Sequence, residues 1–311
     1  MFTSLRLVLV AALSVAPVAA SAAIERTVEK SFSVTGAGRL HLETHGGGVR
    51  VEPSGDSVVK VSARQTIRAS SDSEADDLLK KLELTMEQTG NDVRVVSRYE
   101  RQPIGFRMGS WPPVKVEFVV SVPANFSADL RTSGGQIVVG DLQGDIVART
   151  SGGGIKIGNV GGKVEARTSG GSIALAGSGG SVELQTSGGN ISAGRIAGPA
   201  KLGTSGGSIA IESAANVVTA HTSGGNITAN IAGPLLADCS LSTSGGNVRV
   251  TVGKAAAFRL DASTSGGGVD ASGLTLTMEK SSRNHLAGSV NGGGPLLKLR
   301  TSGGGVVVRS N

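Results

Sequence analysis

The chain has 311 residues, a formal net charge of +6 and 48 glycines, but only one Trp, one Tyr and six Phe. A globular core normally fills its volume with aromatic side chains, so their scarcity points to thin layers and many tight turns. Collagen is excluded because the glycines lack a G-X-Y period, and disorder because aliphatic and β-branched residues are plentiful and regularly placed.

Residues 1–22 read as a signal peptide. Arg6 supplies the positive start, Leu7 to Val18 is apolar, and Ala20-Ser21-Ala22 fits the small-x-small cleavage rule, with Ala23 as the new N-terminus. That apolar run falls short of the about 20 residues a membrane span needs, and no later stretch reaches it. The expectation is an exported protein without a membrane span, periplasmic or at the cell surface. The lone Cys239 cannot pair internally and reads as a small buried side chain.

Residues 23–131 read as an N-terminal β region. Leu40 to Val51 is a degenerate copy of the repeat found downstream, so coiling is expected from near residue 30. Ser73 to Glu83, acids first and lysines later, fits a short helix. Asp92 to Tyr99 and Val114 to Val122 read as strands, and residues 100–113, with Pro103, Pro112 and Pro113, as a loop. Tyr99, Phe106, Trp111, Phe118 and Phe126 gather here and are expected to plug the end of a stack whose open strand edges need a cap.

Residues 132–311 form an array. Thr-Ser-Gly-Gly begins at Thr132, Thr150, Thr168, Thr186, Thr204, Thr222, Thr243, Thr264 and Thr301, with five intervals of 18 residues, two of 21 and one of 37. Five residues after each Thr stands Ile or Val, as in Ile137, Ile155, Ile173 and Ile191, and alternation from there marks a strand with one buried face. A second strand follows in each coil, carrying Ile146, Val164 and Val182, after a turn with Gly144, Gly162 or Gly180. Glycine at both corners is expected because it takes φ > 0 at little cost. One coil cannot bury its apolar stripe, but stacked coils can. The fold class is therefore all-β: a single-stranded parallel β-helix, or β-solenoid, of ~18-residue coils, with right-handed winding expected and an irregular N-terminal region holding one short helix.

These columns resemble a bacterial family of exported domains of unknown function, the adhesin-type β-strand-repeat proteins related to autotransporter adhesin heads. The resemblance runs from about 30 to 309 and includes Val120-Ser121-Val122-Pro123 leading into the serial Ser-Gly-Gly coils. It implies an adhesin-like role and carries no catalytic residues.

Several chemistries find no support in the residues. Gly158 to Val164 approaches a phosphate loop, but Lys163 is followed by Val, not Ser or Thr. Calcium-binding β-rolls need an Asp in each turn, whereas Ser172, Asn190, Ser208, Asn226 and Asn247 stand there and suit hydrogen-bonded ladders. A β-helix polysaccharide lyase or hydrolase needs converging carboxylates. Only Glu165 and Glu183 share a column, and Arg167 beside them suggests an ion-pair ladder. His41, Glu43 and His45 alternate on one strand as a solvated face. No cofactor, metal or nucleic-acid partner is expected.

Two features carry more weight. Arg131, Arg149 and Arg167 each precede a corner and should stack on three successive coils, and the segment 132–311 carries a net charge of +5. Such a column repels itself unless Asp129, Glu165 and Glu183 neutralise it or an anionic ligand binds it. Trp111, on its Pro-rich loop, could stack on a sugar ring. The leading reading is a non-catalytic, exported adhesin-like protein binding an anionic glycan, envelope polymer or protein. A polysaccharide-active enzyme and a purely structural envelope protein are the alternatives.

Overall fold

The computed structural model describes residues 23–100 and 112–311; the expected signal peptide, Phe106 and Trp111 lie outside them. Strands β1 (Ile24–Ser33), β2 (Arg39–Thr44), β3 (Val49–Ser54) and β4 (Val58–Ile67) precede helix α1 (Asp72–Leu79). After it come β5 (Leu82–Thr89), β6 (Asp92–Tyr99) and β7 (Val114–Pro123). The array then runs β8 (Ser127–Thr132), β9 (Ile137–Val139), β10 (Ile146–Arg149), β11 (Ile155–Val160), β12 (Val164–Arg167), β13 (Ile173–Ser178) and β14 (Val182–Gln185). It continues with β15 (Ile191–Ile196), β16 (Ala200–Gly203), β17 (Ile209–Ala214), β18 (Val218–Thr222), β19 (Ile227–Ile231), β20 (Cys239–Thr243) and β21 (Val248–Val252). The C-terminal part holds β22 (Phe258–Thr264), β23 (Val269–Asp270), β24 (Leu276–Ser282), β25 (His285–Val290), β26 (Leu296–Thr301) and β27 (Val306–Ser310).

Each coil gives one strand to a 13-stranded sheet and one to a 14-stranded sheet, so the chain is a solenoid. Pairing between coils is parallel and in register: Ile155 faces Ile173, which faces Ile191, which faces Ile209. The opposite sheet aligns Ile146, Val164, Val182 and Ala200 in the same way. These columns are buried, and each large aliphatic side chain so placed contributes about 1.5–3 kcal/mol. Cys239 is buried in one of them, where loss of solvation pushes its thiol pKa up.

The Thr-Ser-Gly-Gly corner is a hydrogen-bonded ladder. Thr186 donates its hydroxyl to the Gly171 carbonyl of the preceding coil at 2.8 Å and accepts from Gly189 N–H in its own coil at 3.3 Å. The bond to the preceding coil recurs from Thr132 to Thr301. One step along, Asn190 N–H donates to Ser172 Oγ and Ser208 N–H to Asn190 Oδ1, the polar ladder expected at these positions.

The role expected for the corner glycines is corrected. From Gly135 on, none of them has φ in the left-handed region, and only Gly47 of the first coil does, at +104°. They are glycine because the coil below lies too close: a β-carbon at Gly171 would sit 2.1 Å from the Gly153 carbonyl oxygen. The need is contact between coils, not a strained turn within one.

Both ends of the stack depart from a simple winding. Coiling starts at β2, not near residue 30, because β1 is an antiparallel edge strand on β4. β2 pairs with β8 on one side and β6 on the other, while β3 lies between β9 and β7. The second coil made is thus the outermost, and the first lies beneath it. The C-terminal end mirrors this arrangement: β26 sits between β20 and β22, and β27 between β21 and β23. Thr301 accordingly bonds Gly246, and Thr264 bonds Gly304. The interval of 37 residues is the detour that lets the last coil slot in below its predecessor.

Antiparallel strands close the ends, β4 and β1 beyond β7, β5 beyond β6, and β25 and β24 beyond β22. Charged residues on the edge strand β1 (Glu25, Arg26, Glu29 and Lys30) discourage further pairing. Phe118, Phe126 and Tyr99 are buried at the N-terminal end, as expected of a plug. Helix α1 starts at Ser71, whose hydroxyl accepts Glu74 N–H, while Glu74 reaches back to Ser70 N–H at 2.8 Å.

Candidate functional site

Along the 14-stranded sheet alternate side chains face outward, and the residue before each corner Thr stands in one column. Arg131, Arg149 and Arg167 are in register there, about 4.8 Å apart from coil to coil. Two residues earlier, Asp129, Val147, Glu165 and Glu183 form the parallel column.

The acids meet the arginines one for one. Arg131 grips Asp129 on its own strand through Nε and a terminal nitrogen at 3.2 and 3.1 Å. Arg149 reaches Glu165 on the next coil at 2.7 Å, and Arg167 reaches Glu183 on the next at 3.0 Å. Arg167 Nε also lies 3.5 Å from Glu165, and Lys201 lies 3.9 Å from Glu183. His41 flanks Asp129 at 3.4 Å. Donation to Asp129 raises the Arg131 pKa, and the hydrogen bond Glu165 accepts from Arg149 lowers the Glu165 pKa.

The arginines keep 40–45% of their side-chain surface exposed, so each pair adds little stability, about 0–1 kcal/mol. Their effect is order. Each guanidinium carries five N–H donors and spends only some of them on its acid partner, leaving donors directed at solvent. Arg131, Arg149, His45 and Ser133 border a hollow of about 240 Å³.

The other residues singled out in the sequence are separated. Glu43 accepts Arg98 at 2.9 and 3.0 Å, a partner on β6 that the repeat could not reveal. His285 meets Asp261 at 3.1 Å across an antiparallel pairing with no counterpart in the period. His221 contacts Ser242 at 3.0 Å. A larger hollow of about 820 Å³ lies on the 13-stranded sheet, bordered by the first two glycine corners and by Arg50, Arg64 and Lys115. Sequence reasoning missed it because β4 and β7 carry no repeat.

Residues 38–309 match the sequence pattern of Toastrack DUF4097. The chain belongs to the Toastrack DUF4097 family. It is a domain of unknown function, and the toastrack of parallel strands is the stack described above. No curated protein has a matching sequence.

Several solved structures are similar to this Toastrack chain. A putative adhesin from Bacteroides fragilis NCTC 9343 is 10% identical, covers 92% of this chain and 97% of its own, and has a TM-score of 0.41. A putative lipid binding protein from Parabacteroides distasonis ATCC 8503 is 12% identical, with 92% and 96% covered and a TM-score of 0.44. A putative cell adhesion protein from Clostridium sporogenes ATCC 15579 is 10% identical, with 93% and 100% covered and a TM-score of 0.29. No residue or ligand is carried across from them. Among the described residues of the Toastrack domain, no helix is long and apolar enough to cross a membrane.

Proposed function

We propose that this Toastrack chain is an exported, non-catalytic surface-interaction protein of adhesin type, which holds an anionic glycan or envelope polymer against the arginine column of its 14-stranded sheet. One observation carries the reading: most carboxylates of the array are engaged by cations or backbone N–H groups, several of them on the neighbouring coil. Asp129, Glu165 and Glu183 serve the arginines, Asp141 and Asp145 accept the N–H groups of Asn159 and Lys163 on the next coil, and Asp270 binds Arg309. Acids so engaged are poor general acids or bases, which disfavours the polysaccharide-cleaving alternative. Arg6, the apolar run from Leu7 and Ala20-Ser21-Ala22 support export.

Retention of the purified chain 23–311 on fractionated envelope polysaccharide tests the reading, with wild type beside Arg131→Ser/Arg149→Ser/Arg167→Ser. Weakened retention and a shallower salt dependence are expected of the triple variant. Unchanged retention removes the arginine column from the account. Trp111 is proposed to stack on a sugar ring of the same polymer. As the only Trp, it reports directly: its fluorescence should change when the polymer is added, and a silent titration discards that role.

A further inference from the structure

The hollow on the 13-stranded sheet arises where β4 and β7 run on past the point at which the coils turn. β4 lies antiparallel to β7, with Arg64 opposite Glu117 and Thr66 opposite Lys115. β3 lies on the other side of β7, with Arg50 opposite Val119. The corner Gly46-Gly47-Gly48 and the next corner, at Gly134 and Gly135, close the hollow, whose volume is about 820 Å³.

Three properties set this place apart from the rest of the rod. Its charge is positive: Arg50, Arg64, Arg68 and Lys115 line it against the single carboxylate of Glu117, which both Arg64 and Lys115 engage. Arg50 is only loosely held, 3.9 Å from Glu52, with more than half of each side chain exposed.

The second property is backbone polarity. Further along the rod, from Ser151 to Gly224, the Ser and first Gly of each corner donate their N–H groups to the coil before, as Ser151 and Gly152 both do to the Ser133 carbonyl at 3.1 Å. The second Gly donates to its own Thr, as Gly153 does to Thr150 Oγ1. The first corner breaks both habits. Thr44 uses its hydroxyl on the Gly46 carbonyl, and no acceptor for the N–H groups of Gly46, Gly47 and Gly48 is found among the described residues. Nor is one found there for Gly134 N–H.

The third property is the backbone hand. Gly47 has φ +104°, alone among the corner glycines of the coils, so the backbone changes hand within this corner. Successive N–H groups across such a change of hand form a concavity suited to an anionic oxygen. Guanidinium and ammonium groups alongside add charge-assisted donors.

We propose that this hollow is an oxyanion-binding site that takes the carboxylate or phosphate group of an acidic saccharide. The walls suit a hydrophilic ligand better than an acyl chain. Val49 and Phe118 beneath are 1% exposed, and Val119 is the one large apolar side chain of the wall that stands open, at 45%. The site is on the opposite sheet from Arg131, Arg149 and Arg167, so it stands or falls independently of that column.

Titration of the full mature chain with a galacturonic acid trisaccharide, followed by calorimetry and by amide NMR, tests the proposal. The neutral maltotriose, inorganic phosphate and phosphatidylglycerol vesicles serve as comparison probes. Binding of the acidic trisaccharide, competed by phosphate and absent for maltotriose, is expected, with shifts at the Gly46, Gly47 and Gly48 amides. Arg50→Ser/Lys115→Ser should weaken it by about tenfold or more, while Arg131→Ser/Arg149→Ser/Arg167→Ser leaves it unchanged. Both exchanged side chains are exposed, and a thermal melt verifies that the double variant folds. Equal affinity in the folded double variant, loss of binding in the triple variant, binding of vesicles without the saccharide, or no binding by wild type overturns the proposal.

Discussion

A β-carbon placed on Gly153 would lie 2.0 Å from the carbonyl oxygen of Gly135, whereas one on the adjacent Gly152 would lie 3.7 Å from that of Gly134. Two glycines side by side in one motif thus have different reasons to exist. The second is the point at which successive coils touch through bare backbone, and the first merely completes the corner.

Gly153→Ala should therefore force the coils apart and cost about 1–3 kcal/mol or more, while Gly152→Ala should stay within about 0.5 kcal/mol. Denaturant midpoints of the two variants check this. Equal midpoints would return the explanation to turn conformation.

The threonine ladder makes a second prediction. Thr186 is 7% exposed and its hydroxyl makes two bonds, so Thr186→Val leaves the Gly171 carbonyl and Gly189 N–H without a partner at a cost of about 1–3 kcal/mol. Thr186→Ser keeps the hydroxyl and should cost less. Thermal melts that rank Val above Ser in stability would contradict the ladder.

Acid should loosen the charged face. The Arg149 guanidinium holds Glu165 below the usual carboxylate range, so the folded state takes up that proton later than the unfolded chain does. The resulting stabilisation is full above the unfolded carboxylate pKa of about 4.3 and is lost as pH falls through the lower folded value. Melting temperatures between neutral pH and pH ~3 should fall more steeply for wild type than for Glu165→Gln, by an amount worth under about 1 kcal/mol because Arg149 keeps 40% of its side chain in solvent. Parallel curves would show that the pair adds nothing.

The intercalated ends predict an unusual response to truncation. Removing residues 296–311 takes out β26 and β27, which separate β20 and β21 from β22 and β23. Hydrogen exchange should then lose protection in β22 and at β20, on both sides of the gap. Loss confined to the extreme C-terminus would refute the stacking order.

The periodic part of the fold was legible because period and burial are properties of the sequence itself: Ile155, Ile173 and Ile191 are 18 residues apart and meet in register. The ion-pair ladder could be read for the same reason, since Glu165, Arg167 and Glu183 occupy repeating positions. The coil order at the ends could not, because the insertion of β2 between β8 and β6 depends on β6, a strand lacking the repeat. The glycines were assigned the wrong cause because φ belongs to one coil, whereas the contact of Gly171 with Gly153 belongs to two. The basic hollow escaped notice since Arg50, Arg64 and Lys115 are far apart in sequence and meet only through the β3–β7–β4 pairing.

The central claim is that this rod holds a polymer without altering it. Incubating the chain 23–311 with fractionated acidic envelope polysaccharide, and measuring bound polymer together with newly formed chain ends over time, tests that claim most directly. Saturable binding with polymer length and end count unchanged is the predicted result. Chain ends accumulating in proportion to time and protein, and abolished by Glu165→Gln or Glu183→Gln, would contradict it.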